Sequence, residues 1–137
     1  MTEQELKNKL HKVRDNHRRV TALRAEAEAL RQSATASAIR YDKDHVQTSP
    51  VNYQEMALVK AVDADMEADA LNVEGNRLRM ELMELIGRLD DEQDRAIIIK
   101  YYFNDESIRD IEYELDVPRN TVWRHKEDAL MKIIAKL

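Results

Sequence analysis

Between Arg119 and Lys126 the run RNTVWRHK places two arginines, an asparagine, a threonine, a tryptophan and a lysine within eight positions. These side chains suit duplex DNA. Arginine bonds a guanine edge through two N–H groups, asparagine an adenine, and lysine or threonine reaches phosphate oxygens. Trp123 fits either a thymine methyl and sugar or a packing contact with a neighbouring helix. The apolar residues around the run give it a frame. Ile108, Ile111 and Leu115 mark one face of a short helix, Val117 lies inside a tight Asp-Val-Pro turn, and Val122 follows five residues later. This is the spacing of a helix-turn-helix, in which Val117 plugs the angle between the helices and Val122 docks the second one. Arg119, Asn120, Trp123 and Arg124 then face outward, with Thr121 and Lys126 beside them as further candidates for DNA contact.

Other chemistries find no such frame. His11, His17, His45 and His125 do not stand three or four residues from one another, and the chain has no cysteine, so no metal site is expected. Asp63, Asp65, Glu67 and Asp69 alternate along a helical stretch and read as a solvated face rather than a catalytic pair. No phosphate loop, nucleophile elbow or Ser/His/Asp arrangement is present. The chain is expected to be no enzyme and to need no cofactor.

The elements that must position the run are helical throughout. With 137 residues, two glycines, two prolines and a net charge of −5, the chain reads as an all-α protein with a small core. MTEQELKNKL lacks the apolar stretch of a secretory signal, and no apolar run approaches the roughly 20 residues of a membrane span, so a cytoplasmic protein with no membrane partner is expected. Charge is distributed unevenly: ten Asp and Glu against three Lys and Arg in 90–116, then two against five in 117–137.

From Glu3 to about Ala38, Leu6, Leu10, Val13, Val20, Leu23, Ala27, Leu30 and Ala34 recur at helical spacing, with His17 in the same stripe. Lys7, Lys9, Lys12, Arg14, Arg18 and Arg19 make a basic outer face, read as a charged coiled-coil surface, with phosphate contact as the alternative. A linker at about 39–52, containing Pro50, leads to a second helix that Asn52 and Glu55 would cap, starting at Tyr53 and ending near Leu89. Its seam is read as Val59, Val62, Met66, Ala70, Val73, Met80 and Met83, loosened at Gly75. Two such helices form an antiparallel, coiled-coil-like hairpin over 1–89, and its thin seam suggests homodimerisation through these N-terminal helices. Residues 90–137 form a second domain of three helices. Asp90 or Asp91 caps the first, which ends near Phe103, and Ser107 with Asp110 caps the second.

The segment LDDEQDRAIIIKYYFNDESIRDIEYELDVPRNTVWRHKEDALMKI resembles the C-terminal, promoter-reading region of bacterial sigma factors. The layout of the whole chain resembles a family of short phage and prophage regulators related to ArpU-type and RinA-type late transcription activators. Where such modules commonly carry a glycine in the turn this chain has Asp116, and where they carry a serine or threonine cap it has Pro118. The resemblance implies a transcriptional regulator of phage or prophage genes, binding promoter DNA through Arg119, Asn120, Trp123 and Arg124 and activating transcription with host RNA polymerase. It also implies a polymerase-contacting surface, for which Asp90, Asp91, Glu92 and Asp94 are candidates, although acidic residues at a helix start are favourable in any protein. Two alternatives stand beside this reading: a DNA-recognition subunit of a phage packaging machine, akin to a small terminase, and a polymerase-binding module that does not read DNA.

Overall fold

The structure, a computed structural model, describes the backbone of residues 1–44 and 51–137 and the side chains of 1–36 and 53–137. Among these residues the protein is all-helical: α1 (Glu3–Asp44), α2 (Val51–Ile86), α3 (Glu92–Ile98), α4 (Ile108–Leu115) and α5 (Arg119–Ala135), with a π-helical turn at Ile99–Phe103 continuing α3. Two of the expected boundaries move. α1 continues past Ala38 to Asp44, and α2 begins at Val51 rather than Tyr53, so the linker is shorter than 39–52. Asn52 is therefore inside α2 and does not start it. Residues 45–50, with Pro50 and His45, lie outside the described residues.

The chain divides into two compact units, one of Met1–Arg18 with Val73–Leu137, the other of Arg19–Asn72. α1 and α2 each contribute to both units, and residues 90–137 lie wholly in the first. In the larger of two apolar clusters described in the first unit, Leu6, Leu10 and Val13 of α1 join Leu82, Leu85 and Ile86 of α2, Ile98 of α3 and Leu130 and Ile133 of α5. The first turns of the chain are thereby part of the same core as the C-terminal helices. In the second unit Ala27, Ala61 and Ala64 are buried together, with Leu23 and Leu30 against them.

The α1 stripe read from sequence is the buried one, from Leu6 to Ala34. The α2 stripe is not. Val59, Val62, Met66, Val73, Met80 and Met83 are all exposed, Met80 at 77%. The buried residues of α2 are instead Ala61, Ala64 and Ala68 in one unit and Gly75, Leu82, Leu85 and Ile86 in the other. They recur at the same three-and-four spacing on the opposite side of the helix. Small residues hold this face at 61, 64, 68 and 75 and larger ones at 82, 85 and 86; a Cβ added at Gly75 would stand 3.8 Å from the Asn16 side chain, ordinary contact distance.

The basic residues of α1 whose side chains are described are engaged in ion pairs inside each unit. Lys9 pairs with Glu81, and Lys12 with Glu74 at 2.8 Å, while Arg14 and Arg18 both donate to Asp105, at 2.8 and 2.9 Å. In the other unit Arg19 pairs with Glu67 at 2.6 Å and Arg24 with Asp69 at 2.8 Å. Such pairs fit an outer coiled-coil face and leave little charge for phosphate.

Candidate nucleic-acid interface

The local sequence fixes the α4–α5 angle. α4 starts because Ser107 is extended and its hydroxyl accepts the Asp110 N–H at 3.1 Å. It stops because Asp116 adopts the left-handed conformation (φ 53°, ψ 48°), so that the N–H groups of Asp116 and Val117 both close on the Glu112 carbonyl. Pro118 then holds an extended backbone at φ −62°, offers no side-chain cap, and its carbonyl takes the first bond of α5 from Val122 at 3.1 Å. Ile97, Ile108, Ile111 and Val122 are buried together, with Leu115, Val117 and Tyr101 packed on them. This is the predicted arrangement, with Val117 in the angle and Val122 docking α5.

Arg119, Asn120, Trp123 and Arg124 are exposed on the first two turns of α5. Among the described residues neither Arg119 nor Arg124 takes part in an ion pair or a side-chain hydrogen bond. Most other arginines do. The uncapped first turn adds outward backbone N–H groups beside the two guanidinium groups, a setting that favours phosphate oxygens. Thr121 is half-buried, at the edge of this face.

Lys126 does not belong to the face. Only 5% exposed, it occupies the same stripe of α5 as Val122, Leu130 and Ile133, and its ammonium lies 4.3 Å from the Trp123 ring centroid and 4.5 Å from that of Tyr101. Burial pushes its pKa down, Glu127 at 3.9 Å opposing this. The physical reason is position: four residues after Val122, a side chain points inward, and the long lysine stem fills the space while aromatic faces receive the charge. Trp123, 41% exposed, packs one part of its ring on Lys126 of its own helix and leaves the rest open to solvent.

Asp94 is also a correction: it is fully buried and presents nothing outward. His125 Nδ1 lies 2.6 Å from one of its oxygens and Lys132 donates to the other at 2.7 Å. Burial alone would raise the Asp94 pKa, but these two partners outweigh it and hold the carboxyl below the usual carboxylate range. Asp90, Asp91 and Glu92 are exposed, with Asp91 capping α3 by accepting the Gln93 N–H at 2.8 Å. Ligand-type atoms of Asp91, Asp94 and His125 come within 4.8 Å of one another. Both oxygens of Asp94 are already held by His125 and Lys132, so the buried carboxylate acts as a tie between α3 and α5.

Sequence reasoning missed Tyr113, which is 88% exposed on α4, and Arg109 on the same helix, also exposed. Their positions were a usable signal: the two stand four residues apart, and neither falls on the 108, 111, 115 face. The remaining acidic groups nearby are largely engaged, Glu114 by Lys100 and Asp105 by Arg14 and Arg18.

No helix among the described residues is long and apolar enough to cross a membrane. No curated protein and no solved structure matches the chain. A family model does, the one described as "Protein of unknown function (DUF1492)", over residues 35–133, which takes in all of α2 and nearly all of the helix-turn-helix. Since that match spans most of the chain, the protein belongs to the DUF1492 family.

Proposed function

We propose that this protein is a sequence-specific DNA-binding transcriptional regulator that reads duplex DNA with the first two turns of α5. One observation carries the reading: the exposed guanidinium groups of Arg119 and Arg124, without intramolecular partners among the described residues, flank Asn120 and Trp123 on a helix docked by a helix-turn-helix core. An arginine face that the fold leaves unpaired is available to guanine edges and phosphates. The resemblance to sigma-type promoter readers and to phage late activators supports phage or prophage genes as targets and host RNA polymerase as a partner. Asp90, Asp91 and Glu92 are the exposed acidic residues available for the polymerase contact.

The test is selection of bound duplexes from a random library, then titration of the enriched site against the native chain and an Arg119→Ala/Arg124→Ala double variant at two salt concentrations. Enrichment of one site, lost in the variant, is the expected result. No enrichment would overturn DNA reading and leave polymerase binding, measurable by pull-down with purified polymerase. Enrichment of genome-end sequence by ring-sized oligomers would instead identify a packaging subunit.

A further inference from the structure

α2 is apolar on two opposite faces. The alanine, glycine and leucine face is buried in its own chain, and the second face is not covered. Val59, Val62, Met66, Val73, Met80 and Met83 stand on it, all exposed. Because α2 is one continuous helix, their register is a property of the helix alone: they fall on a heptad seam with Val59, Met66, Val73 and Met80 in one row and Val62, Asp69, Asn76 and Met83 in the other. The seam is about 36 Å long. Six exposed apolar residues along one helix face, interrupted at Asp69 and Asn76, are more than a monomeric protein usually leaves in water.

We infer that this face is the homodimer interface, and that the second copy of α2 lies antiparallel to the first. Charge decides the direction. On the flanks of the seam the first half of α2 carries Asp63 and Asp65 and the second half carries Arg77 and Arg79. In an antiparallel pair centred near Leu71, Val59 faces Met83 of the other copy and Val62 faces Met80. The flanking positions then bring Asp63 opposite Arg77 and Asp65 opposite Arg79, each twice by symmetry. Asp65 already pairs with Arg24 and Arg31 in its own chain, whereas Asp63 and Arg77 have no ion pair among the described residues, so the Asp63–Arg77 contact carries most of the complementarity. Ala70 would meet Ala70 near the axis, where a small residue permits close approach. A parallel pair would place Asp69 directly against Asp69 and Asn76 against Asn76 inside the seam, and would leave Asp63 beside Leu58. That arrangement sets like charges together in an apolar layer. The interface does not depend on DNA reading.

The experiment uses the full-length chain. Sedimentation equilibrium is expected to show a dimer, and Met66→Lys with Val73→Lys is expected to weaken it by at least roughly tenfold while circular dichroism stays helical, since both residues already face water in the single chain. Arg77→Asp should weaken association and Asp63→Arg added to it should restore it. Direction is read with cysteines, which the native chain lacks: a mixture of Val62→Cys and Met80→Cys chains should cross-link between the two variants, while Val62→Cys alone should not, its two copies lying about 27 Å apart. A monomer at all concentrations, or a dimer indifferent to the lysine substitutions, would overturn the interface. A disulfide formed by Val62→Cys alone would overturn the antiparallel direction.

Discussion

Arg119 and Lys126 illustrate how the same positive charge takes opposite roles seven residues apart on one helix. Arg119 is exposed at the first turn, whereas Lys126 is folded under Trp123 against Tyr101. Their variants should therefore separate. Arg119→Ala or Arg124→Ala is expected to reduce affinity for the selected site by roughly 5- to 100-fold, the equivalent of one lost bidentate contact, and to relax preference at one base pair. Where the lost contact is to phosphate, the slope of log affinity against log salt should fall by about one. Lys126→Met should leave that slope unchanged. Fluorescence anisotropy with labelled duplex at four salt concentrations measures both. A reduced slope for Lys126→Met would mean that its ammonium leaves the aromatic cage on DNA. The inward position of Lys126 was legible as the gap in the stripe Val122, Ala129, Leu130, Ile133; its charge obscured it.

The α4–α5 turn and the α3–α5 tie set the strength of the helix-turn-helix. Asp116 sits at φ 53°, where a side chain costs about 1 kcal/mol relative to glycine, so Asp116→Gly is expected to stabilise the first unit by about that amount. Thermal melting should show an upward shift of a few degrees, and no shift would mean that the aspartate side chain compensates locally. Asp94 gives a pH dependence. Its folded pKa is depressed below the unfolded value near 4, so its contribution is fully present above that value and is lost as pH falls through the folded one. Asp94→Ala is expected to cost about 2 kcal/mol at neutral pH and to flatten the acid limb of the stability profile, as followed by urea unfolding between pH 2 and 7. The turn was legible because Ser107, Asp116 and Pro118 act through the backbone of their immediate neighbours. The Asp94–His125–Lys132 tie was not, since its members are separated by 31 and 38 positions and meet only when α3 packs on α5.

At the scale of the whole molecule the question is what counts as a folding unit. Leu6, Leu10 and Val13 share a cluster with Leu130 and Ile133, so the C-terminal helices are completed by the first turns of the chain. A fragment of residues 90–137 is therefore expected not to fold cooperatively by itself, and Leu10→Ala, at a fully buried site, should cost about 2–5 kcal/mol in the intact chain. Circular dichroism melting of fragment and variant measures both. A fragment melting as sharply as the whole chain would show that the helix-turn-helix is autonomous.

Local signals determined much of this protein: the all-helical class, the buried stripe of α1, the caps of α3 and α4, the left-handed turn at Asp116 and the outward set Arg119, Asn120, Trp123 and Arg124. Each depends on residues within one or two helical turns. Tertiary structure alone decided which of two equally periodic faces of α2 would be buried. Hydropathy favours the valines and methionines, but the face that is buried is the one that meets Leu6, Leu10 and Val13 in one unit and Leu23, Ala27 and Leu30 in the other, and those partners lie tens of residues away in sequence. The same logic buried Lys126 and Asp94, where partners from distant segments replaced the water that each charge gave up.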